Sequence, residues 1–193
     1  MKSVCVFCGA NPGARPGYVE AARRLGAGLA TRGLALVYGG ASVGLMGAAA
    51  DAVLAGGGRV HGVLPEFMTK REIAHGGLTE LRLVGSMHER KAEMAARADA
   101  FVALPGGYGT LDEIFEVLTW SQLGLHHKPC ALLDVDGYFA HLVAFLDHAG
   151  AEGLLRPEHR AMLFVERDPE RLLDRLATYV VPEVPKAIGP GQT

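Results

Sequence analysis

Short apolar runs alternate along the chain with longer segments in which apolar residues recur at helical spacing. This alternation is typical of a parallel sheet whose strands are joined by helices. We therefore predict an α/β fold: a Rossmann-like, doubly wound, mainly parallel sheet of about seven strands with helices on both faces. The predicted strands are residues 3–7, 34–38, 59–63, 80–84, 100–104, 130–134 and 162–165.

Helical periodicity and helix-ending residues mark the segments between these strands. Gly33 follows the first segment in the position of a C-cap, and the glycines at 56–58 end the alanine-rich second one. We predict a single domain over residues 1–180, a short helix and a loop within 66–77, and a flexible tail over 181–193. The predicted helices are residues 18–31, 44–55, 87–97, 110–123, 138–149 and 169–179.

Composition and charge exclude several classes of protein. The 193 residues are 49% hydrophobic and 21% charged, which suits one folded domain. The net charge of −2 provides no broad cationic surface, so we expect neither nucleic acid nor a membrane as a partner. The apolar runs fall short of the roughly 18–20 residues that span a bilayer, and the first run is too short for a secretory signal.

The cysteines and histidines carry no metal or disulfide pattern. The three cysteines, Cys5, Cys8 and Cys130, give neither a disulfide framework nor a four-cysteine metal site, which favours the reducing cytoplasm. The histidines include the pair His126 and His127, but none has metal-ligand spacing with acids or thiols. No lysine lies in the sequence context of a pyridoxal phosphate Schiff base. We therefore expect no metal and no cofactor.

Glycines cluster directly after three of the predicted strands, in residues 8–13, 39–47 and 105–110. In a parallel sheet the carboxyl ends of the strands meet at one edge, and ligands bind in the crevice there. The first strand–helix turn lacks a G-x-G-x-x-G motif and no acidic residue ends the second strand, so an ordinary dinucleotide site is not indicated. We expect these three loops to line one crevice.

The segment 105–113, P-G-G-Y-G-T-L-D-E, joins a predicted buried strand to a helix. The backbone N–H groups of Gly107 and Gly109, together with the helix N-terminus, suit a phosphate monoester. Thr110 is a candidate helix cap that could also donate to a phosphate oxygen. The alternative is a plain tight turn capped by Thr110. The lysine of a Walker motif is missing, so nucleoside-triphosphate hydrolysis is not predicted.

Carboxylates follow on the same predicted helix. Glu113 and Glu116 are three residues apart and share the face that carries Thr110, above the predicted crevice. A carboxylate in that place could act on a sugar. Asp112 points elsewhere on the helix, and we interpret it as a first-turn acid that favours the helix dipole.

Two cations lie at the start of the helix that follows the fourth predicted strand. Ser86 is a candidate N-cap, and Arg90 with Lys91 brings positive charge to the crevice, where one could bind phosphate and one could pair with a carboxylate. The alternative is an ordinary amphipathic helix with Met87 and Met94 toward the core and every charge in solvent.

Together these motifs resemble those of the LONELY GUY family, the cytokinin riboside 5′-monophosphate phosphoribohydrolases that were long labelled possible lysine decarboxylases. Residues 105–113 are similar to the family's P-G-G-x-G-T-x-x-E motif, and residues 87–94 to its M-H-x-R-K-x-x-M segment. Residues 38–47 and 119–124 fit two further blocks, so the resemblance covers nearly the whole chain. It implies hydrolysis of the N-glycosidic bond of N6-modified adenosine 5′-monophosphates to the free base and ribose 5-phosphate.

The resemblance also implies roles for individual residues. Arg90 and Glu113 match the catalytic pair, and the glycines and threonine of 107–110 match phosphate-binding positions. The loop 8–13 departs from the family's usual C-G-S-S-x-G, because Ala10 and Asn11 stand in place of the serines. The implied substrate-binding residues are Met87, Lys91, Gly107, Gly109, Thr110, Glu116, Gly40 and Gly44.

The resemblance implies a nucleoside monophosphate as substrate and a homodimer with sites near its interface. Trp120 and Leu123 would mark that interface if they were exposed. Two alternatives stay open. A non-catalytic carrier of a nucleotide or of molybdenum cofactor would need the phosphate loop but not Glu113. An AMP nucleosidase of broader specificity would lack an apolar pocket beside N6 of the base.

Overall fold

A computed structural model describes residues 1–69 and 74–182. Its seven strands are β1 Ser3–Phe7, β2 Ala35–Tyr38, β3 Val60–Pro65, β4 Glu80–Val84, β5 Ala100–Ala103, β6 Cys130–Leu133 and β7 Leu163–Glu166. They form one sheet in the order β4-β3-β2-β1-β5-β6-β7, and each neighbouring pair is parallel. This confirms the predicted Rossmann-like α/β fold.

Helices cover both faces of the sheet, as predicted. The helices are α1 Pro16–Thr31, α2 Gly44–Ala55, α3 Met87–Arg97, α4 Tyr108–Gln122, α5 Ala140–Ala151, α6 Pro157–Arg160 and α7 Pro169–Thr178. Along β1, Val4 and Val6 face an apolar cluster with α1, α2 and α7, whereas Cys5 and Phe7 face a second cluster with α3, α4 and α5. A strand buried on both faces is apolar at nearly every position, which is why the central strands appear as continuous apolar runs. The edge strand β4 is mostly exposed and carries charged residues.

Local sequence explains several helix ends. Gly33, at φ +67°, follows α1, where its N–H donates to the Ala30 carbonyl and the N–H of Leu34 donates to that of Leu29. This is a Schellman motif, and it needs a residue that tolerates the left-handed conformation. At the start of α3, Ser86 Oγ accepts from the Glu89 N–H at 3.1 Å. The predicted cap at Ser86 is therefore confirmed.

The structure corrects several predicted boundaries. The helix α4 begins at Tyr108, and its N-cap is Gly107 with no side-chain cap, so the prediction of Thr110 as N-cap was wrong. The small helix α6 was not predicted. Within 66–77 a 3-10 helix forms at Glu66–Met68, and part of the predicted loop lies outside the described residues. Val181, assigned to the flexible tail, is buried, while 183–193 lie outside the described residues.

The crevice lies where the strand order reverses, between β1 and β5. The loops after these strands are hydrogen-bonded to each other, because the Gly9 N–H donates to the Pro105 carbonyl at 3.0 Å. The Gly9 carbonyl in turn accepts from the Leu45 N–H of α2, also at 3.0 Å. Ligands of open α/β sheets bind at such a reversal. The three glycine loops therefore meet at one edge, as the sequence predicts.

Candidate active site

A cavity of about 280 Å³ opens at this edge of the sheet. This volume lies just below the usual range for ligand sites, roughly 300–1,000 Å³. Six of its lining residues belong to the predicted site, and the others come from the ends of β1 and β2, from α2 and from the 3-10 helix after β3. The predicted residues that line it are Met87, Arg90, Gly107, Gly109, Thr110 and Glu113.

Arg90 is a buried charged group in the wall of the cavity. It is 5% exposed, and its Nε donates to the Val63 carbonyl while its Nη2 donates to the Gly39 carbonyl, both at 3.1 Å. Its Nη1 lies 3.9 Å from Sδ of Met87. The reading of α3 as a helix with every charge in solvent was therefore wrong at Arg90. The two carbonyls fix the plane of the guanidinium at the cavity wall.

Glu113 faces the same cavity from α4, and its side chain is half-buried. Burial raises the pKa of the Cys8 and Cys5 thiols well above the usual range, and the charge of the nearby Glu113 carboxylate raises both further. Both thiols are therefore kept protonated. The geometry brings a fixed cation and a carboxylate to one small cavity.

The glycine loop forms the end of the cavity at the N-terminus of α4. Gly107 and Gly109 are exposed, and a Cβ atom at either position would meet nothing within 4 Å. Thr110 is buried against Gly106, where a Cβ atom would overlap the threonine Oγ1. No side chain caps this helix, and its N-cap Gly107 and first-turn residues Gly109 and Thr110 line the cavity. Such a helix end suits a phosphate group.

Lys91 and Glu116 lie beside the cavity and are not among its lining residues. Lys91 Nζ contacts Glu116 Oε1 at 3.0 Å and Asp112 Oδ2 at 3.1 Å, which ties α3 to α4. Burial lowers the pKa of Lys91, but its hydrogen bonds with Glu116 and Asp112 outweigh burial and raise it overall. Because α4 begins at Tyr108, the interpretation of Asp112 as a first-turn acid was wrong.

Gly40 and Gly44 shape the loop after β2 and do not line the cavity. Both have a positive φ, +85° and +62°, which favours glycine. The Gly40 carbonyl accepts from the His75 N–H at 3.0 Å. A Cβ atom at Gly44 would overlap the backbone of Ala10, so this glycine allows the loops after β1 and β2 to touch.

Other lining residues were not named individually as members of the site: Cys8, Gly9, Ala10, Gly39, Met46 and Met68. The first five lie in the loops 8–13 and 39–47, which were predicted to line the crevice. Met68 lies outside these loops and carried no signal, since a methionine in a helix is ordinarily a core residue.

The described residues contain neither a metal-binding cluster nor a helix suited to cross a membrane. Over residues 1–69 and 74–182, no cluster of three or more His, Cys, Asp or Glu side chains could hold a metal ion. No helix in the described part of the chain has both the length and the apolarity that a bilayer crossing requires.

The fold and the cavity define a class: a Rossmann-like α/β protein with a helix N-terminus that has no side-chain cap, beside a buried arginine and a carboxylate. Residues 46–176 match the family model described as "possible lysine decarboxylase". The chain is 53% identical over 180 residues to the probable cytokinin riboside 5′-monophosphate phosphoribohydrolase LOGL9 of Oryza sativa subsp. japonica, covering 93% of this chain and 79% of that protein. The chain belongs to this family, the LONELY GUY family.

A second relative agrees with that placement, and a solved structure shares the fold. The cytokinin riboside 5′-monophosphate phosphoribohydrolase LOG7 of Arabidopsis thaliana is 50% identical over 179 residues, which are 93% of this chain and 82% of that protein. Among solved structures, the molybdenum cofactor carrier protein of Chlamydomonas reinhardtii has a TM-score of 0.71 at 21% identity, covering 93% of this chain and 99% of that one. The latter likeness concerns the fold alone.

Proposed function

We propose that this protein hydrolyses the N-glycosidic bond of N6-modified adenosine 5′-monophosphates, giving the free base and ribose 5-phosphate. The observation that carries the proposal is that Arg90, Glu113 and the glycine loop at 107–110 line one cavity. A non-catalytic carrier of a nucleotide or of molybdenum cofactor would need the glycine loop but not Glu113. Relatives about half identical to the chain bear the name of this activity.

The chemistry fits these groups. As the bond between C1′ and N9 breaks, positive charge develops on the ribose, and the Glu113 carboxylate would stabilise it or orient the attacking water. The water oxygen bonds to C1′ and the water releases one proton, while N9 leaves with the bonding electron pair and takes up one proton, so that the sum is the addition of water across the bond. Arg90, held by two carbonyls, would position Glu113 and the nucleotide. No cofactor takes part in this scheme.

The helix end at 107–110 would hold the 5′-phosphate, with Gly107 and Gly109 admitting it and Thr110 supporting the loop. Binding of the phosphate, remote from the reacting bond, would place the ribose against Glu113. Met87 would contact the nucleotide as a lining residue.

The other proposed substrate-binding residues lie around this cavity. Lys91 and Glu116, which pair at 3.0 Å, would bind the nucleotide from its margin, with Glu116 directed to the ribose or base. Gly40 and Gly44 would give the loop after β2 the shape that receives the nucleotide.

We further propose a cytoplasmic homodimer. Leu123 and Leu125, at the end of α4, are 62% and 70% exposed, which supports a subunit interface at this helix. Trp120 is half-buried against the core. The three cysteines are free and buried, which suits a reducing compartment.

Two alternatives remain as outcomes of the same test. The fold is shared with a molybdenum cofactor carrier, and an AMP nucleosidase would use the same cavity on the unmodified nucleotide. The experiment is to incubate the protein with N6-isopentenyladenosine 5′-monophosphate, AMP and the unphosphorylated N6-isopentenyl riboside, and to measure free base by chromatography.

We expect base from the modified monophosphate, none from the riboside, and none from any substrate with Glu113→Gln. Equal rates on AMP would favour the broader nucleosidase. A wild-type protein that binds nucleotide but releases no base would favour the carrier.

A further inference from the structure

The side chain of Tyr138 contacts the glycine loop from a neighbouring segment of the chain. Tyr138 follows β6 and the 3-10 helix Val135–Gly137, and its hydroxyl donates a hydrogen bond to the Gly106 carbonyl at 2.7 Å. The two residues are 32 positions apart, so only the fold brings them together. Tyr138 is not among the residues that line the cavity, so an effect on a bound ligand would have to pass through the loop.

Three consecutive carbonyls of the glycine loop each accept a hydrogen bond, but only the middle one depends on a side chain. The Pro105 carbonyl accepts from the Gly9 N–H at 3.0 Å, and the Gly107 carbonyl accepts from the Leu111 N–H at 3.1 Å. The carbonyl between them, that of Gly106, accepts from Tyr138. It belongs to a peptide flanked by two glycines, whose backbones have the greatest freedom to rotate. The hydroxyl therefore restrains a peptide that residue type alone would leave loose.

The direction of this carbonyl also sets the direction of the Gly107 N–H. Peptide bonds in the described part of the chain are trans, so the N–H of Gly107 points away from the Gly106 carbonyl in the same plane. Gly107 is the N-cap of α4 and lines the cavity. A hydrogen bond that holds the carbonyl on the side of Tyr138 therefore holds the N–H on the opposite side.

Tyr138 is itself held in place by its surroundings. Its own N–H donates to the Val135 carbonyl at 3.0 Å, and the N–H of Phe139 donates to Oδ1 of the buried Asp134 at 2.8 Å. The Tyr138 ring meets the rings of Tyr18 and Phe139 edge to face, with centroids 5.6 Å and 5.0 Å away. Such pairs favour one ring orientation. The hydroxyl is thus presented to the glycine loop from a fixed support.

We propose that Tyr138 is a positioning residue for the 5′-phosphate: its hydroxyl holds the peptide between Gly106 and Gly107 in the orientation that binds a phosphate oxygen. This inference rests on the part of the proposed function that places the phosphate at the glycine loop. A hydrogen bond accepted by the carbonyl also polarises the peptide, which strengthens its N–H as a donor. Tyr138 thereby raises the affinity for the phosphate without touching the nucleotide.

The test removes the hydroxyl and keeps the ring. Tyr138→Phe retains the contacts with Tyr18 and Phe139 but loses the hydrogen bond to the loop. Tyr179→Phe is the matched control, because the Tyr179 hydroxyl also donates to a main-chain carbonyl, that of Ala161, and Tyr179 does not line the cavity. In a Glu113→Gln background, where no bond need break, calorimetry measures the Kd of AMP and of adenosine for each variant.

We expect Tyr138→Phe to raise the Kd of AMP about fivefold, the value of one ordinary hydrogen bond, and to leave the Kd of adenosine unchanged. Tyr179→Phe should change neither Kd, even if both variants unfold at a lower urea concentration. An unchanged Kd of AMP in Tyr138→Phe would overturn the inference. So would an equal loss for AMP and adenosine, because a general disturbance of the site does not distinguish a phosphate from a hydroxyl.

The same variants separate this inference from the proposed function. If the protein with Glu113 intact released no base, the proposed reaction would fail, yet a loss of affinity confined to AMP in Tyr138→Phe would still support the positioning role. If that protein released base but Tyr138→Phe kept its KM for N6-isopentenyladenosine 5′-monophosphate, the reaction would stand and the positioning role would fail. Equal affinities for AMP and adenosine before any change at Tyr138 would also overturn the positioning role.

Discussion

The main-chain oxygen of Gly39 accepts a hydrogen bond from Nη2 of Arg90 at 3.1 Å, and a Cβ atom on Gly39 would overlap that same nitrogen. A buried guanidinium therefore occupies the space that a side chain at position 39 would need. The φ angle plays no part here, since Gly39 is not among the positive-φ glycines. The close approach of the Arg90 guanidinium alone explains why position 39 is a glycine.

Gly39→Ala should displace the Arg90 guanidinium and lower kcat/KM for the modified monophosphate by about 100-fold, because small misplacements of a positioning group are costly. The displaced group is the end of a long side chain, so the fold should persist. Gly76→Ala is the matched control, since a Cβ atom there meets nothing within 4 Å. Steady-state kinetics and circular dichroism check both variants. Wild-type activity in Gly39→Ala would refute the expectation.

Arg90→Ala should abolish base release and also reduce stability. Removal of the guanidinium leaves the carbonyls of Val63 and Gly39 without that donor, and water in the cavity replaces it only in part. We expect the free energy of unfolding to fall by about 1–3 kcal/mol. Urea denaturation measures the loss, and chromatography of the free base measures activity. Residual turnover within tenfold of wild type would exclude a catalytic role.

Lys91→Met should destabilise the contact between α3 and α4. The Lys91 side chain is 13% exposed, and without it Glu116 would keep a half-buried carboxylate whose Oε2 is inaccessible and accepts no hydrogen bond. We expect a loss of about 1–2 kcal/mol in the free energy of unfolding. Asp112→Asn is the control, because Asp112 is 58% exposed and its pairing is screened by solvent. A larger loss of unfolding free energy in Asp112→Asn than in Lys91→Met would contradict this expectation.

The thiols should resist alkylation in the native protein. Burial raises the pKa of Cys130 to about 12, and it raises those of Cys5 and Cys8 as well. At pH 8 the thiolate fraction of each is therefore far below that of a free cysteine. A colorimetric thiol reagent at pH 8 should react with none of the three quickly in the folded protein and with all three in urea. Rapid reaction of any of the three cysteines in the folded protein would disprove this expectation.

Leu123→Glu should convert the proposed dimer to a monomer. Leu123 is 62% exposed at the C-terminal end of α4, and a carboxylate buried in an apolar interface would have no partner. Light scattering after size-exclusion chromatography gives the mass directly. The control is Val180→Glu, which is 84% exposed after α7, on the opposite face of the sheet. A dimer that persists in Leu123→Glu would place the interface elsewhere.

Sequence patterns predicted the elements of this fold well, because a strand buried on both faces must be apolar throughout. They placed Arg90 at the crevice but did not predict that its side chain is buried. Its acceptors, Val63 and Gly39, lie 27 and 51 residues away, and they are main-chain oxygens that carry no signature of residue type. Thr110 was misassigned as a cap because the pattern favours a hydroxyl residue, whereas the helix begins after Gly107.

The hydrogen bonds that run from Leu45 to Gly9 and from Gly9 to Pro105 join the loops after β1 and β5 to the start of α2. The loop after β1 is hydrogen-bonded to a neighbouring segment on each side, so it cannot move independently of them. We therefore expect amide exchange at Gly9 and Leu45 to proceed through rare, shared openings and not through independent loop fluctuations. A ligand that enters would then meet loops that are already ordered, so ordering them would not diminish its affinity.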